Sequence, residues 1–380
     1  MRKIRGILKI ASWMAWVAAA LAAGPVTLTW AGTVASPYVY NVAFADERMT
    51  QPDVTRRVAE KEMARVDERI HATRATRVVL DGIRFTAKNH PSSISLISEN
   101  FAAPLERASY VSAGLLTQRY VGGSSIRDEL MYAAPRIAAA GSVRAEDWYR
   151  GPMRSTGTRR ADLSPEHIAE RQEGLIGAAM LVWGDTDPDH YGMSGFGDVG
   201  NAELFADGVS LGQSAWPQGL WDVPDADAAY QLRVTTMRFN PGAPNHPNWS
   251  LFYGTETQFR FRSQRPSDAG LYALPILVPS YDIGVDTRNL APADAAFEVG
   301  FGAGGQRDYD AGQITAAQAW VSFDDGTTWQ EVTVTRKGAG FVTTVDQSSA
   351  AGKNVSLRVD LTDEHGNGVR QTIIRAYGVR

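Results

Sequence analysis

Short runs that alternate between apolar and polar residues recur along this chain, and Gly, Asp and Asn mark their ends. Because successive side chains of a β-strand point to opposite faces, this period of two predicts strands with one buried and one solvated face. Residues 257–262 place both phenylalanines on one face, and residues 355–361 alternate in the same way. The pattern predicts a mainly β fold of tandem antiparallel β-sandwich domains, because each half-apolar strand needs a second layer to cover it.

The turns between these runs can also be predicted from the sequence. Asp207-Gly208 separates two apolar pairs, and both residues tolerate the positive φ of a tight hairpin. Residues 363–368 join the strand predicted at 355–361 to a last strand at 369–376. We therefore expect the C-terminal part to close as an antiparallel sandwich.

One segment, residues 52–71, fits two kinds of element. Met63, Val66 and Ile70 recur at helical spacing with charges between them, which by itself predicts an amphipathic helix. A short helix and a strand both stay open here.

The chain has 380 residues, which is more than one hydrophobic core commonly serves. Basic residues followed by an apolar run give residues 1–35 the layout of a secretory signal peptide, and residues 10–30 are also long enough for a retained membrane anchor. Segments rich in Gly, Ser and Pro place boundaries near 145 and 275. We predict an amino-proximal β region over 36–145, a central jelly-roll-like sandwich over 146–275 and an immunoglobulin- or fibronectin-like sandwich over 276–380.

The composition of the chain argues against several classes of function. The net charge of −4 and the dispersed Lys and Arg residues argue against a nucleic-acid partner. The absence of Cys excludes disulfides, thiolate nucleophiles, cysteine-ligated zinc and a lipoprotein anchor. The six histidines form no closely spaced metal-binding pair.

Several local strings occur in an order that spans nearly the whole chain after the leader. They are PYVYNVAF, MARVDERIH, ERASYVSA, EDWYRGPMR, GFGDVGNAELFADGVSLG, TQFRFRS, AWVSFDDGTTW and NVSLRVDLTDEHGNGVRQTIIRAYGV. In this order they resemble the region that follows the catalytic domain in large, secreted, subtilisin-like serine proteases of actinobacterial type. The resemblance implies a non-catalytic accessory region, in which residues 52–71 correspond to a turn and then a strand leading to His71.

Subtilisin-like catalysis requires an Asp that orients a His, a Ser nucleophile and an oxyanion donor. The usual His-Gly-Thr-His and Gly-Thr-Ser-Met-Ala strings are missing. Ser194 has the nearest serine context, but it lacks the second glycine spacing of a nucleophile elbow, which favours a loop position. We therefore predict no catalytic residues. An independent hydrolase would require Ser194, His190 and an Asp to converge.

Residues 322–329 match the Asp-box pattern S-x-D-x-G-x-T-W, which is familiar from sialidase propellers. In that pattern the Asp and Thr side chains bond the backbone of a turn and the Trp packs beneath it. A sialidase would repeat the motif several times, whereas this chain carries it once. The motif predicts a hairpin and no catalysis.

The candidate metal ligands lie in one acidic loop and just after it. Several hard oxygen ligands within one loop are what calcium uses, although the helix-flanked calcium-loop pattern is incomplete and a solvated acidic turn is the alternative. His190 is the histidine beside this loop. The calcium candidates are Asp185, Asp187, Asp189 and Asp198. We expect no other cofactor.

Aromatic residues concentrate in the central region. Flat rings can bind sugars or partner chains, although burial in the core is the more common use of tryptophan. The binding candidates are Trp216, Trp221 and Trp249, with Tyr230 and Phe252 nearby.

The leading hypothesis is a secreted accessory or scaffold protein without proteolytic activity, as a stand-alone or truncated homologue of the protease region. Its partners would be a protease catalytic domain, a polypeptide or a cell-envelope glycan. The alternative is an extracellular binding module, for carbohydrate through the central aromatics or for the envelope through a retained N-terminal helix.

Overall fold

The computed structural model describes residues 38–43, 58–73, 77–86, 93–123, 130–157, 167–193, 198–238 and 250–380. These residues form 29 β-strands and a 3-10 turn at Glu60–Glu62. The prediction of a mainly β fold built from antiparallel sheets is confirmed. None of the described residues belongs to a helix that is long and apolar enough to cross a bilayer. Residues 1–35, where the leader or anchor is predicted, lie outside the described residues.

The first half of the chain supplies fourteen strands. In order, β1 to β14 are Tyr38–Asn41, Met63–Ile70, Arg77–Thr86, Ser93–Ala103, Leu105–Ser112, Leu116–Gly123, Leu130–Ala133, Arg136–Ile137, Val143–Trp148, Arg154–Thr156, Ala169–Gln172, Leu175–Ala179, Leu181–Gly184 and His190–Met193.

The second half supplies fifteen more. In order, β15 to β29 are Asp198–Ala206, Val209–Ser214, Gln218–Asp222, Ala228–Arg238, Gly254–Ser263, Tyr272–Ala273, Leu277–Ile283, Leu290–Ala291, Phe297–Gly305, Ile314–Ser322, Gln330–Val332, Val334–Lys337, Gly340–Val345, Asn354–Asp363 and Gly368–Val379.

The amino-proximal region is a sandwich of two sheets. One sheet has the order β1-β5-β2-β9, and the other has the order β14-β7-β6-β3-β4 with β8 paired to β6. Val66 and Val111 of the first sheet share a small core with Ile83 and Phe85 of the second. Most neighbouring strands are antiparallel, but β1 runs parallel to β5 and β9 runs parallel to β2.

The segment that fitted two elements is a strand. β2 pairs with β5 on one side and β9 on the other, and Ala64, Val66 and Ile70 turn inward at alternate positions. Pairing on both sides satisfies the backbone of this strand completely, which outweighs the helical spacing of its apolar residues.

The central and C-terminal regions share a nine-stranded sheet. Its order is β16-β15-β18-β19-β29-β28-β24-β25, with β22 paired to β29. A four-stranded sheet, β17-β12-β11-β20, covers the central strands, and β21-β23-β27-β26 covers the C-terminal strands. The C-terminal part is therefore an antiparallel β-sandwich of two sheets, as the sequence predicted. A separate two-stranded sheet joins β10 and β13.

Both predicted hairpins form. Asp207 and Gly208 have φ of 46° and 82° between β15 and β16, and residues 363–368 connect β28 to β29. The domain boundaries stay predictions. Two strands, β9 and β14, bear on the boundary predicted near residue 145. β9 spans it, and β14, from the predicted central region, pairs with β7 of the amino-proximal sheet.

Candidate functional site

A buried aspartate–histidine pair lies where the amino-proximal sheet meets the acidic loop. Asp185 follows β13, and His190 begins β14 after the turn formed by residues 186–189. The Nδ1 atom of His190 is 2.9 Å from Oδ2 of Asp185, and both side chains are 0% exposed. The Trp148 ring stacks on the imidazole with 4.2 Å between ring centroids. The pair is therefore sealed from solvent.

The surroundings of this pair favour a protonated imidazole. Burial lowers the pKa of His190, but the charge of Asp185 and the hydrogen bond to it outweigh burial, so the pKa is raised. Asp185 also accepts hydrogen bonds from the backbone N–H groups of Tyr149 and Asp187, at 3.0 Å each. These bonds fix the acidic loop to β9 and β14.

The second ring nitrogen of His190, Nε2, takes no part in the contact with Asp185. Nε2 makes no hydrogen bond within the described residues, and Oδ2 of Asp187 lies 3.7 Å away. In a general base, an aspartate orients the imidazole in this way. The hypothesis of an independent hydrolase likewise requires His190 and an aspartate to lie close together, with Ser194 beside them. Ser194, the nucleophile of that hypothesis, lies outside the described residues. Two of its three members, His190 and an aspartate, do meet.

A buried ionic cluster adjoins this pair between the two amino-proximal sheets. One sheet contributes Glu68, Arg107 and Glu146, and the other contributes Asp81 and Arg119; each side chain is at most 4% exposed. Arg119 lies at the centre, with Glu68 at Nη1, Glu146 3.2 Å from Nη1 and Asp81 3.2 Å from Nη2. We name these five residues the ionic cluster.

Charge balance explains how the ionic cluster is tolerated. Its three carboxylates face two guanidinium groups, and Arg144 adds a third at 2.7 Å from Glu146. Burial raises the pKa of Glu68, but the charges of Arg119 and Arg107 outweigh burial and hold that pKa at about 2. The Arg119 guanidinium also lies over the Trp148 ring, 5.9 Å from its centroid. Trp148 thus connects the ionic cluster to His190.

The sequence contains a signal for this cluster, but the signal can be recognised only once the strands are assigned. Glu68 takes the inward place between Val66 and Ile70 in β2, and Arg119 takes the inward place before Val121 in β6. A charge at an inward position requires an opposite charge facing it.

The predicted calcium ligands are not gathered into one group. Asp187 accepts the backbone N–H of Asp189 at 2.9 Å, and Asp189 lies 3.5 Å from Arg136. Asp198 is buried in β15, 3.7 Å from Arg238. Within the described residues, no three His, Asp or Glu side chains are arranged to hold a metal ion. Calcium binding stays a prediction.

The three candidate tryptophans have different environments. Trp221 is 6% exposed in the central core, and its Nε1 donates to the carbonyl of Gly212 at 2.9 Å. Trp216 is 48% exposed in the turn between β16 and β17. Trp249 lies outside the described residues. Of the two candidate tryptophans that the structure describes, Trp216 is the one that presents a ring to a ligand.

The Asp-box residues make turn hydrogen bonds. Asp324 accepts from Ser322 Oγ at 2.7 Å and from the backbone N–H and hydroxyl of Thr328 at 2.9 and 2.6 Å. These bonds lower the pKa of Asp324 to about 2. Trp329 packs against the turn, with the Arg358 guanidinium 4.1 Å from its ring centroid. The motif is used as hairpin chemistry.

Comparison with known proteins adds little to this geometry. No family model matches the chain, and no curated protein matches it. Among solved structures, it is similar to the crystal structure of chicken CNTN1 FN1-FN3 domains, with 8% sequence identity over 84% of this chain and 96% of that chain and a TM-score of 0.15. The fold class therefore depends on the sheets themselves.

Proposed function

We propose that this chain is a secreted, non-catalytic accessory scaffold, of the kind found after the catalytic domain of subtilisin-like serine proteases. The observation that carries the proposal is the pairing of β19 with β29, which makes one sheet of the central and C-terminal regions. A continuous sheet holds the loops of both regions at fixed positions, which is what support of a catalytic domain or a bound polymer requires.

The enclosure of the Asp185–His190 pair agrees with a non-catalytic role. A general base must reach the proton that it abstracts, whereas both side chains are 0% exposed beneath Trp148. The same contacts serve to fix the acidic loop.

A hydrolysis assay tests this proposal. We expect the purified full chain to leave an unstructured polypeptide such as casein intact, with and without a serine-directed inhibitor. Cleavage that the inhibitor abolishes, and that His190→Gln also abolishes, would contradict it.

A second candidate function is an extracellular carbohydrate- or envelope-binding module. The exposed ring of Trp216 favours it, because an indole face can stack on a sugar. If this surface binds, Trp216→Ala removes binding on a glycan array. Leu220→Ala, at an apolar residue that is 68% exposed on the neighbouring strand β17, is the matched control and leaves binding intact.

A further inference from the structure

Three tyrosines stand directly opposite one another across three adjacent strands of the amino-proximal region. Tyr120 of β6 pairs with Tyr132 of β7, and Tyr132 pairs with Tyr191 of β14. The ring centroids are 5.7 Å apart in the first pair and 5.3 Å apart in the second, which is stacked. We name this row the tyrosine ladder.

The tyrosine ladder faces away from the sandwich interior. Arg119, Met131 and His190, the residues that precede the three tyrosines, are all buried between the sheets. Because side chains alternate along a strand, the tyrosines lie on the opposite, outer face. All three are half-buried.

The fourth position of the same row has no side chain. Gly82 of β3 pairs with Tyr120, and a Cβ atom there would overlap the Tyr120 ring. The ring therefore leans over the backbone of β3, and the row extends across four strands. With neighbouring strands about 4.8 Å apart, a row across four strands is roughly 14 Å wide.

The chemistry around the tyrosine ladder is neutral. The other described outward side chains of β6, β7 and β14 are Leu116, Gln118 and Leu130, and none of them carries a charge. Gln118 donates from Nε2 to the Tyr191 hydroxyl at 2.7 Å. Burial raises the pKa of Tyr120, and of the two β3 charges that act on its hydroxyl, Asp81 raises this pKa and Arg84 lowers it.

We infer that the tyrosine ladder is a binding surface for a neutral, extended polysaccharide. Phenol rings and an amide offer apolar contact beside hydrogen-bonding groups, which matches sugar rings that expose C–H and hydroxyl groups together. A charged polymer would find no counter-charge among the described side chains on the outer face of these three strands. The inference rests on the binding-module form of the proposed function and places its site on the amino-proximal sheet instead of at Trp216.

Cross-strand aromatic pairs also stabilise sheets, so the test must separate binding from folding. The full chain is incubated with insoluble cellulose and chitin, and bound protein is measured with a soluble neutral hexasaccharide as competitor. We expect wild-type binding to weaken roughly tenfold in Tyr132→Ala, since one ring contact contributes about one factor of ten. Tyr191→Ala, on the edge strand β14, should weaken binding similarly at lower risk to the fold.

The controls are chosen on the same chain. Tyr272→Ala removes a tyrosine that is 44% exposed on β20, and Trp216→Ala removes the competing surface; both should bind as wild type does. Circular dichroism and thermal melting confirm that each variant is folded. Failure of the wild type to bind either polysaccharide, binding to polypeptide only, or binding that survives both ladder variants would overturn the inference.

The two proposals fail separately in these assays. Polypeptide hydrolysis would contradict the non-catalytic role and leave ladder binding untouched. If Trp216→Ala is the only variant that loses binding, the proposal of a binding module stands, but the tyrosine ladder is not its binding site.

Discussion

Arg119 is the residue on which the interior of the amino-proximal sandwich depends most. It is the contact shared by Glu68, Asp81 and Glu146, and its side chain is 3% exposed. Removing one partner from a buried charge network leaves the others desolvated without compensation, which costs far more than the network itself contributes to stability.

We therefore predict that Arg119→Met lowers the free energy of unfolding by about 3–5 kcal/mol. The matched control is Arg65→Met, because Arg65 and Asp67 form a pair that is more than 40% exposed on both sides. That change should alter stability far less, because solvent screens the charges of an exposed pair. Urea unfolding followed by circular dichroism measures both. Equal effects of the two substitutions would contradict the role given to the ionic cluster.

At the scale of the element, the backbones of β13 and β14 approach each other closely. A Cβ atom on Gly192 of β14 would meet the backbone oxygen of Trp183 in β13. Backbone cannot move aside as a flexible side chain can. β14 carries both His190 and Tyr191, so its position decides the geometry of the buried pair and of the tyrosine ladder.

Gly192→Ala is expected to destabilise the protein by about 1–3 kcal/mol through overpacking. Gly177→Ala on β12 is the control, since a Cβ atom there has its nearest neighbour, Leu220 Cδ1, at 3.7 Å. The control should be neutral or slightly stabilising because alanine restricts the unfolded chain. Thermal melting compares the two variants, and a Gly192→Ala protein as stable as wild type would refute the close approach.

At the scale of the whole molecule, the nine-stranded sheet runs continuously through the central and C-terminal regions. β19 and β29 pair through seven consecutive residues on each strand. Separating the regions would break this ladder and expose two long edges.

We predict one unfolding transition for both regions. Trp221 in the central core and Trp329 in the C-terminal hairpin serve as local fluorescence probes. Each is observed in a variant in which the other tryptophans of its region are replaced. Their urea midpoints should coincide. Midpoints that differ by more than the experimental error would indicate two independent domains.

A histidine also joins the two regions. His167 has Oε2 of Glu170 at 3.1 Å from Nδ1 and Oδ2 of Asp308 at 2.9 Å from Nε2. A neutral imidazole has one N–H, so donation to both carboxylates requires the protonated form. Burial lowers the pKa of His167, but the two carboxylates outweigh burial and raise it. Arg307 lies 3.6 Å from Asp308 and is the other charge at this contact.

This contact should weaken as the pH rises. A raised pKa in the folded state means that the stabilisation is complete below the unfolded value of about 6.5 and is lost as the pH rises through the folded value. Because Asp308 is 61% exposed, solvent screening keeps this effect small. The difference in unfolding free energy between wild type and His167→Gln should shrink from about pH 5.5 to about pH 8.5. A difference in unfolding free energy that stays constant with pH would contradict a protonated His167 between the two carboxylates.

The sequence by itself determined the strands and the hairpins. Alternation at 257–262 and 355–361 and the turn chemistry of Asp207-Gly208 are local, because side-chain direction and backbone φ depend on near neighbours. The Asp-box is likewise complete within eight consecutive residues, 322–329. These features could be predicted without knowing which strands pair.

Only the tertiary structure decided which strands share a sheet and which side chains meet. Met63–Ile70 became a strand because β5 and β9 flank it, and Trp221 entered the core because a second sheet covers β17. The ionic cluster joins five strands, and the tyrosine ladder depends on the register of three. Register and sheet order arise from contacts between residues far apart in sequence, so no local pattern specifies them.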